Sequence, residues 1–365
     1  MKRALALAKR GLGQTQPNPL VGAIVLDAHG KLAGTGFHPK AGEPHAEVLA
    51  LNEAGSRSKG GTLYLTLEPC THQGRTPPCA PRVIQSGIQR AVVAQLDPNP
   101  AVNGAGIQSL RNAGIGVDIG VCEAIADQLL FPFRVWITKN RPVITAKAAV
   151  SVDGKIGVVG KRIQLSGPAS ERTTMKLRAE AGAIVVGVTT IVSDDPLLTV
   201  RGKFQDRKPI RAVVDGNLRT PPMARLFSTD GGPIWIFCRE ETLTTSLGKE
   251  KEKILKEKGA QIVPLPQDRD GLLVLKDVIE KLADQGINAI LVEGGGRLFS
   301  HFVSSGWIDR WVIYLTPTVL GMNYEGEGTI PFPLTSPDLG PFPLNFQSVI
   351  RRGADMEIVA YSQNL

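Results

Sequence analysis

Residues 42–79 read GEPHAEVLALNEAGSRSKGGTLYLTLEPCTHQGRTPPC, and this stretch decides how the first half of the chain is interpreted. The apolar spacing over 45–54, ended by a glycine, predicts a helix. The run 62–67 predicts a strand. A proline-rich loop follows it and carries Cys70 and Cys79. The stretch therefore predicts a helix and a strand that bring one imidazole and two thiols together.

His45, Cys70 and Cys79 form a donor set that suits a catalytic zinc ion. One imidazole and two thiolates leave the fourth tetrahedral position open for water, as catalytic zinc sites do. Zinc lowers the pKa of such a water to about 7. Glu47, two residues after the histidine, can take the proton and pass it to a ring nitrogen and the leaving ammonia. We therefore predict one Zn²⁺ per chain and Glu47 as the catalytic residue.

The spacing of the two cysteines departs from the usual signature of zinc nucleobase deaminases, which is H-x-E followed by P-C-x-x-C. Here eight residues, 71–78, separate them. A structural zinc site with His72 as a fourth ligand is one alternative, and cysteines that serve only as core residues are another. Glu47 and Pro69 favour the catalytic site, because both belong to the deaminase pattern.

The composition is typical of a globular protein with two domains. The chain has 365 residues and a net charge of +8, and about 100–200 residues make up one domain. The densest basic stretch, 249–258, alternates Lys with Glu and so predicts an exposed helix face. The positive charge therefore favours anionic small molecules over nucleic acid. No apolar run reaches the roughly 18 residues of a membrane span.

The predicted elements alternate between strands and helices along the whole chain. The runs 20–27 and 32–37 predict an antiparallel hairpin, and the later strands, separated by helices, predict parallel pairing. Residues 131–142 carry Pro132 and show no clear period, so we predict the domain connection there. Four cysteines and no secretory signal indicate a reducing compartment, and we expect a cytoplasmic protein.

Several motifs resemble the bifunctional deaminase/reductase family of riboflavin biosynthesis. In the first half they are PNP at 17–19, GTGFH at 34–38, GEPHAE at 42–47, LEPC at 67–70 and GRTPPC at 74–79. In the second half they include KAAVSVDG at 147–154, DDP at 194–196, VEGG at 292–295 and LTP at 315–317. The resemblance implies a cytidine-deaminase-like three-layer domain with a mixed sheet in residues 1–140. It implies a dihydrofolate-reductase-like α/β domain in residues 141–365.

The family resemblance implies two consecutive reactions. The first is hydrolytic deamination of 2,5-diamino-6-(5-phosphoribosylamino)pyrimidin-4-one. The second is reduction of the ribosyl group of the product to ribityl by NADPH. The resemblance thus implies Zn²⁺ and NADPH as cofactors and a phosphorylated pyrimidine as substrate. It also implies a homo-oligomer that has neither nucleic acid nor membrane as a partner.

A glycine-rich loop at 294–297 is the predicted centre of the NADPH site. It follows a predicted strand and precedes an apolar helix, and the exposed N–H groups of such a helix start suit a pyrophosphate; a simple tight turn is the alternative. The family match implies cofactor contacts for Ala149, Gln164, Thr190, Asp194, Gly216, Gly295, Gly296, Arg297 and Leu298. It implies substrate contacts for Asn18, His38, Lys147, Asp153, Arg162, Arg178, Leu198, Arg201 and Glu293. For Arg178 and Arg201 a surface ion pair is the alternative.

Three positions depart from the family pattern. Gln164 stands where a Trp commonly packs on the cofactor, and Gly216 stands where a Ser often contacts it. The loop 157–163 is one residue shorter, so Arg162 falls where a small polar residue is expected. Three other hypotheses stay open: a deaminase with a catalytically impaired reductase-like domain, a nucleic-acid-editing deaminase, and a purely structural zinc protein.

Overall fold

The chain folds as two α/β units, Met1–Arg141 and Pro142–Leu365, here called unit 1 and unit 2. The computed structural model describes residues 1–73, 76–100, 102–321, 328–332 and 342–363. Gly74 and Arg75, which belong to the predicted insert between the cysteines, lie outside the described residues. Within these ranges, no helix is both long and apolar enough to cross a membrane.

Unit 1 is built on a five-stranded mixed sheet. Its strands are β1 Gly22–Leu26, β2 Leu32–Phe37, β3 Thr62–Leu65, β4 Arg90–Val93 and β5 Gly116–Ile119. Its helices are α1 Lys2–Ala8, α2 Ala46–Ala54, α3 Cys79–Gln85, α4 Ala105–Asn112 and α5 Glu123–Lys139. The strand order is β2-β1-β3-β4-β5. Strands β2 and β3 are antiparallel to β1, and β3, β4 and β5 are parallel. The predicted hairpin and the parallel strands are confirmed.

Helices α1 and α2 pack on opposite faces of this sheet. A Cβ on Gly22 would lie 2.1 Å from the Ala4 carbonyl oxygen of α1, and one on Gly36 would lie 2.1 Å from the Ala46 carbonyl oxygen of α2. Gly36 pairs with Ala23, the neighbour of Gly22. Paired residues share a face and successive residues point to opposite faces. The three-layer arrangement is confirmed, and glycine is needed where the helices touch the strands.

Helix α5 corrects the prediction that residues 131–142 form an irregular connection. The helix continues to Lys139 with Pro132 inside it. Its residues Ala126, Leu130 and Val135 are buried. Burial of this apolar face outweighs the one helical hydrogen bond that the proline cannot donate. Only the short segment after residue 139 is left to join the units.

Unit 2 contains a large sheet and a small one. Its strands are β6 Val143–Ser151, β7 Lys155–Val158, β8 Ala183–Gly187, β9 Ile210–Val214, β10 Ile234–Arg239, β11 Ala260–Leu265, β12 Ala289–Glu293, β13 Arg310–Thr316, β14 Thr329–Pro331, β15 Leu344–Arg352 and β16 Asp355–Ser362. Its helices are α6 Pro168–Glu180, α7 Val188–Asp194, α8 Ser246–Glu257, α9 Leu275–Ala283 and α10 Gly296–Ser304.

In the large sheet the carboxyl ends of the parallel strands all lie on the same side, which is called an edge below. Its order is β11-β10-β9-β8-β12-β6-β13-β16-β15, and the small sheet pairs β7 with β14. All pairings from β11 to β13 are parallel, whereas β16 is antiparallel to β13 and β15. Ligands of open α/β sheets bind outside the carboxyl ends of parallel strands. Glu293 ends β12 at that edge, and the glycine loop follows it there.

Candidate functional site

The three predicted metal ligands lie together in unit 1. His45 immediately precedes α2, Cys70 lies in the loop after β3, and Cys79 is the first residue of α3. Their ligand atoms lie within 4.8 Å of one another. His45 Nδ1 is 3.1 Å from Cys79 Sγ and 3.7 Å from Cys70 Sγ. Nitrogen and sulfur ligands on a tetrahedral zinc lie about 3.5–3.8 Å apart. The donor set therefore suits zinc; the His45–Cys70 separation lies in this range and the His45–Cys79 separation is somewhat shorter.

The cluster has three members among the described residues, and His72 is not one of them. His72 is exposed in the loop between the cysteines. A structural zinc site normally takes four protein ligands. This geometry thus favours the catalytic interpretation over the structural one that the sequence left open.

Backbone hydrogen bonds hold the two cysteines at this spacing. The N–H groups of Cys79 and Ala80 both donate to the Cys70 carbonyl oxygen, each at 3.1 Å. The other ring nitrogen of His45, Nε2, lies 3.2 Å from Thr76 Oγ1. An outer partner of this kind fixes the orientation of a metal-ligating imidazole. Sequence analysis missed Thr76, because its position within the insert was the only signal.

The thiols of Cys70 and Cys79 influence each other's pKa. Hydrogen bonds from Cys79 and His45 lower the pKa of Cys70 to about 4, although burial opposes this. The pKa of Cys79 is raised by its hydrogen bond to Cys70 and by burial. Cys70 is therefore the more readily ionised of the two thiols. A divalent cation satisfies two thiolates at once and releases the remaining proton.

Glu47 is buried beside the cluster, in the first turn of α2. Its residue is 4% exposed. Burial raises the pKa of Glu47, and the Cys79 hydrogen bond only partly offsets this. A carboxyl group whose pKa is moved towards neutrality exchanges protons well near physiological pH. The structure therefore places a suitable proton carrier next to the predicted metal ligands.

Asn18 and His38 form a second polar pair beside the cluster. The His38 ring packs edge-on against the His45 ring, with centroids 5.2 Å apart. His38 Nδ1 is 3.3 Å from the Pro44 carbonyl oxygen, and its Nε2 is 3.1 Å from Asn18 Nδ2. A carbonyl oxygen only accepts, so Nδ1 carries the proton. Burial lowers the pKa of His38 and favours the neutral ring.

This tautomer fixes the orientation of the Asn18 amide. The bare Nε2 of His38 accepts from the Asn18 NH₂ group, which leaves the amide oxygen of Asn18 free of that contact. Asn18 therefore offers an acceptor for a ligand, and His38 positions it. Both residues were predicted from the family match as substrate contacts.

In unit 2, Lys147, Arg178 and Glu293 form a charged group at the carboxyl end of strand β12. Lys147 on β6 is the registered partner of Glu293, the last residue of β12. Arg178 on α6 donates through Nε and Nη2 to the two carboxylate oxygens of Glu293, at 2.8 Å each. Arg178 Nη1 also donates to the Thr199 carbonyl oxygen at 2.9 Å. Arg178 is thus in a buried bidentate pair rather than in the surface pair considered above.

Burial and charge act against each other on these groups. Burial alone would raise the pKa of Glu293, but Arg178 and Lys147 hold it below its usual range. Burial lowers the pKa of Lys147, whose ammonium nitrogen lies 5.5 Å from the centre of the Tyr314 ring. Burial raises the pKa of Tyr314 to about 12. Tyr314 was not foreseen, since a tyrosine on a strand usually indicates packing.

The glycine loop is confirmed between β12 and α10. Gly294 adopts a φ of 103°, and a Cβ there would lie 2.5 Å from Thr190 Oγ1. The Gly295 N–H donates to that hydroxyl at 3.1 Å. Leu298, in the first turn of α10, is buried close to Gly187 at the end of β8. The structure thus brings Thr190 and the loop together, with Gly296 and Arg297 at the start of α10.

Gly216 follows β9 at the same edge and has an unforeseen neighbour. A Cβ on Gly216 would lie 3.4 Å from Cγ and Nε of Arg239, the last residue of β10. The Arg239 side chain thus lies next to the position at which a Ser was expected. Ala149 lies on β6 opposite Tyr314, and Leu198 is buried with a φ of 52°. A positive φ at a leucine is a strained conformation.

The remaining predicted residues lie on exposed or half-exposed segments. Arg162 and Gln164 are exposed, and Gln164 donates to the Ser166 carbonyl oxygen at 3.0 Å. Asp194 ends α7 and accepts from the Ser193 hydroxyl. Arg201 forms an exposed ion pair with Glu171. Asp153 is exposed and accepts from the N–H groups of Leu320 and Gly321.

Comparison with known proteins identifies the family. Residues 1–95 match the cytidine and deoxycytidylate deaminase zinc-binding region, and residues 142–336 match the RibD C-terminal domain. The riboflavin biosynthesis protein RibD of Aquifex aeolicus is 45% identical over 322 residues, which is 88% of this chain and 87% of that protein. The chain belongs to the RibD family. RibD of Escherichia coli is 37% identical over 344 residues, 91% of this chain and 90% of its own.

Solved RibD structures resemble both units. Acinetobacter baumannii RibD superposes with a TM-score of 0.81 at 33% identity and covers 99% of this chain and 97% of its own. A Thermotoga maritima diaminohydroxyphosphoribosylaminopyrimidine deaminase/5-amino-6-(5-phosphoribosylamino)uracil reductase gives a TM-score of 0.82 at 31% identity, with the same coverage. The chain is therefore a bifunctional deaminase and reductase of riboflavin biosynthesis, and its cofactors are zinc and NADPH. The predicted fold classes are confirmed as well.

Proposed function

We propose that unit 1 performs the deamination and unit 2 the reduction, with the residue roles given below. The observation that carries the proposal is the cluster of His45, Cys70 and Cys79 beside the buried carboxyl group of Glu47. The substrate of unit 1 is 2,5-diamino-6-(5-phosphoribosylamino)pyrimidin-4-one. The deaminated product is the substrate of unit 2. The +8 net charge suits two phosphorylated ligands.

In unit 1 the chain binds the pyrimidine and moves the proton. Zinc, when bound by His45, Cys70 and Cys79, supplies a nucleophilic water at neutral pH. Glu47 moves two protons in turn: it takes one from the attacking water and gives it to the ring nitrogen, and it then takes one from the hydroxyl group added to the ring carbon and gives it to the amino group, which leaves as ammonia when the C–N bond breaks. Asn18, oriented by His38, accepts a hydrogen bond from the ligand, and an acceptor there favours an N–H group over a carbonyl oxygen.

In unit 2 the chain holds the ribosyl carbon against the cofactor. NADPH, when bound at the glycine loop, supplies the hydride. Gly296 and Arg297 present N–H groups at the start of α10, which suit the pyrophosphate, and Gly295 fixes the loop through its hydrogen bond to Thr190. We assign to Lys147, whose pKa is lowered by burial, the proton that the ring oxygen of the ribosyl group takes up when the hydride adds to the anomeric carbon and the bond between that carbon and the ring oxygen breaks. Glu293 holds Lys147 and Arg178 at this edge and contacts the substrate.

The first test replaces the proton carrier. We expect Glu47→Gln to lower kcat for deamination about 10²–10⁴-fold, with unchanged zinc content and unchanged reduction of the deaminated intermediate. Ammonia release, metal analysis and the loss of NADPH absorbance measure the three quantities. Full deamination by this variant would refute the role of Glu47.

The second test addresses unit 2. We expect purified protein given the deaminated intermediate and NADPH to consume NADPH, and Lys147→Met to slow this consumption about 10²-fold or more. Deamination by the same variant should be unchanged, and an unchanged unfolding midpoint of unit 2, followed by tryptophan fluorescence, serves as the folding control. Equal NADPH consumption by both proteins would remove Lys147 from the mechanism.

We infer further that the enzyme is a cytoplasmic homo-oligomer acting on free small molecules, with neither nucleic acid nor membrane as partner. All four cysteines are free, and two belong to the proposed metal site, which suits a reducing compartment. The edge strand β15 exposes Phe346, Val349 and Ile350, and apolar edges of this kind are commonly covered by another chain. Sedimentation should show a dimer or larger, and Phe346→Lys should weaken it. A monomer would contradict the inference.

A further inference from the structure

Glu68 lies two residues before the Cys70 ligand and is deeply buried. Its residue is 4% exposed. Its carboxylate accepts four backbone hydrogen bonds. Asp97 N–H and Gly104 N–H donate to Oε2 at 3.0 Å each, and Gly106 N–H and Ile107 N–H donate to Oε1 at 2.7 and 3.2 Å. A buried side chain with this many backbone donors fixes the segments that donate to it.

The four donors come from the segment that follows β4 and opens α4. Gly106 and Ile107 lie in the first turn of α4, where N–H groups have no helical partner. The Glu68 carboxylate satisfies two of them and also suits the positive end of the helix dipole. The Glu68 N–H donates to the Gln95 carbonyl oxygen at 3.0 Å. Glu68 is therefore fixed at both its backbone and its side chain.

A close packing contact adds to this hydrogen bonding. A Cβ on Gly106 would lie 2.1 Å from the Pro69 carbonyl oxygen. The start of α4 thus presses on the peptide between Glu68 and Cys70. On the other side, the Cys70 carbonyl oxygen accepts from Cys79 and Ala80. The turn that carries the Cys70 thiol is held on both sides by contacts that do not involve the thiol.

We propose that Glu68 is a positioning residue for the zinc site. By binding four N–H groups it locks the turn at Pro69 and sets the place of Cys70 Sγ relative to His45 and Cys79. Glu68 does not touch the metal or the substrate. Its contribution is preorganisation: without it the Cys70 thiol samples other positions, and the metal must order the turn when it binds. The proposal rests on the assignment of these three residues as metal ligands.

Glu68→Gln tests the proposal with almost no change in shape. A glutamine oxygen can accept from one pair of N–H groups, but its NH₂ group then faces the other pair, donor against donor. We expect zinc affinity, measured by competition with a chromophoric chelator, to fall about 10–100-fold. We also expect the absorption spectrum of the cobalt-substituted protein to change, because it reports ligand geometry. Reductase activity should be unchanged.

Asp27→Asn is the matched control. The Asp27 carboxylate also accepts two backbone N–H groups, from His29 and Lys31 at 2.9 Å each, in the turn between β1 and β2. We expect this variant to bind zinc and cobalt as the unaltered enzyme does. If unit 1 of Glu68→Gln fails to fold, Glu68→Asp decides, because it keeps both acceptor oxygens and withdraws them by one methylene group.

The outcomes separate this proposal from the one on which it rests. Unchanged zinc affinity and an unchanged cobalt spectrum in Glu68→Gln, or in Glu68→Asp where the first does not fold, would overturn the positioning role. An equal loss in Asp27→Asn would also overturn it, since the effect would then be general weakening of unit 1. If the unaltered enzyme bound no zinc, the metal site itself would be wrong.

Discussion

Unit 1 and unit 2 obtain the charges of their sites in different ways. In unit 1 the cluster of His45, Cys70 and Cys79 has two thiols and an imidazole, and it takes its positive charge from a metal ion. In unit 2 the positive charges belong to the chain, because Lys147 and Arg178 face Glu293. The first site therefore depends on a ligand for its charge balance, whereas the second depends on a buried ion pair.

The two sites also differ in how far apart their residues are in the sequence. The cluster of unit 1 lies within residues 45–79, on one helix, one loop and the start of the next helix. The charged group of unit 2, Lys147, Arg178 and Glu293, extends in sequence from β6 to β12. Pairing of β6 with β12 and packing of α6 bring its three residues together. Replacing the carboxylate of Glu47 in unit 1 should therefore affect chemistry. Replacing the carboxylate of Glu293 in unit 2 should affect folding. Each unit's activity serves as the control for the other.

The largest effect is expected from Glu293→Gln, which leaves Arg178 buried and unpaired. Breaking a buried pair from one side costs about 3–5 kcal/mol, so unit 2 should unfold at lower denaturant while deamination persists. Trp235, Trp307 and Trp311 lie in unit 2, so fluorescence follows its unfolding, with Trp136→Phe as the background to isolate that signal.

The exposed Arg201–Glu171 pair provides the control, and Glu171→Gln should cost about 0–1 kcal/mol. Acid adds a second check. Arg178 and Lys147 hold the pKa of Glu293 low against the effect of burial. The ionised Glu293 therefore contributes fully to the free energy of unfolding at pH values above the ordinary pKa of glutamate. This contribution disappears as the pH falls through the lowered pKa. The difference between the unaltered enzyme and Glu293→Gln should therefore narrow below about pH 4. A constant difference would show that ionisation of Glu293 is not involved.

A smaller effect is expected in unit 1 from Gly36→Ala. The new methyl group would meet the Ala46 carbonyl oxygen at 2.1 Å and push α2 from the sheet. Overpacking of this kind costs about 1–3 kcal/mol, and it should shift His45 and Glu47 enough to reduce deamination but not reduction. Gly116→Ala is the matched control, since the nearest atom lies 3.6 Å away. Equal thermal shifts in the two variants would argue against tight α2 packing.

A third prediction concerns Asn18 and His38. One hydrogen bond is worth about 1 kcal/mol, so Asn18→Ala should lower kcat/KM of deamination by about fivefold. His38→Phe keeps an aromatic ring against His45 and removes the nitrogen that orients Asn18. If His38 acts through Asn18, the double variant should be no worse than Asn18→Ala alone. Additive losses would instead indicate that His38 contacts the substrate directly.

The smallest effect is expected at Asp153 in unit 2, an exposed carboxylate. Hydrogen bonds from Ser151 and from the N–H groups of Leu320 and Gly321 lower the pKa of Asp153 to about 2. The hydrogen bonds from Leu320 and Gly321 to the ionised carboxylate are fully formed at pH values above the ordinary pKa of aspartate. They are lost as the pH falls through about 2. Carbon NMR of the carboxyl group should show that midpoint. Titration near the ordinary value of about 3.9 would show that these hydrogen bonds do not persist in solution.

Sequence alone was sufficient where local pattern and chemistry agree. The hairpin β1–β2, the helix after His45 and the glycine loop after β12 each follow from turn residues and periodicity over short stretches. The metal cluster followed from residue types, because few sites need one imidazole, two thiols and a nearby carboxylate. The family match added the identities of the residues in unit 2, and their roles stay predictions.

Tertiary contacts explain what the sequence did not reveal. The pattern around Pro132 resembles a connection, and only burial of Leu130 and Val135 shows why α5 continues. Arg178 offers no sign in the sequence that its partner is Glu293, since the two meet only where α6 packs next to the end of β12. The neighbour of Gly216 is Arg239 from the next strand, and pairing of β9 with β10 places it there. Glu68 was visible in the LEPC motif, but its four donors belong to a later segment.

The position of β6 in the large sheet has a consequence for synthesis on the ribosome. Residues 143–151 form a central strand of unit 2, between β12 and β13, yet they are made before either. At roughly 5–20 residues per second, the strand waits on the order of ten seconds for its partners. An apolar strand left unpaired for that time is open to aggregation. Fragments of the gene that stop before codon 289 should therefore yield inclusion bodies, whereas unit 1 can complete its sheet early.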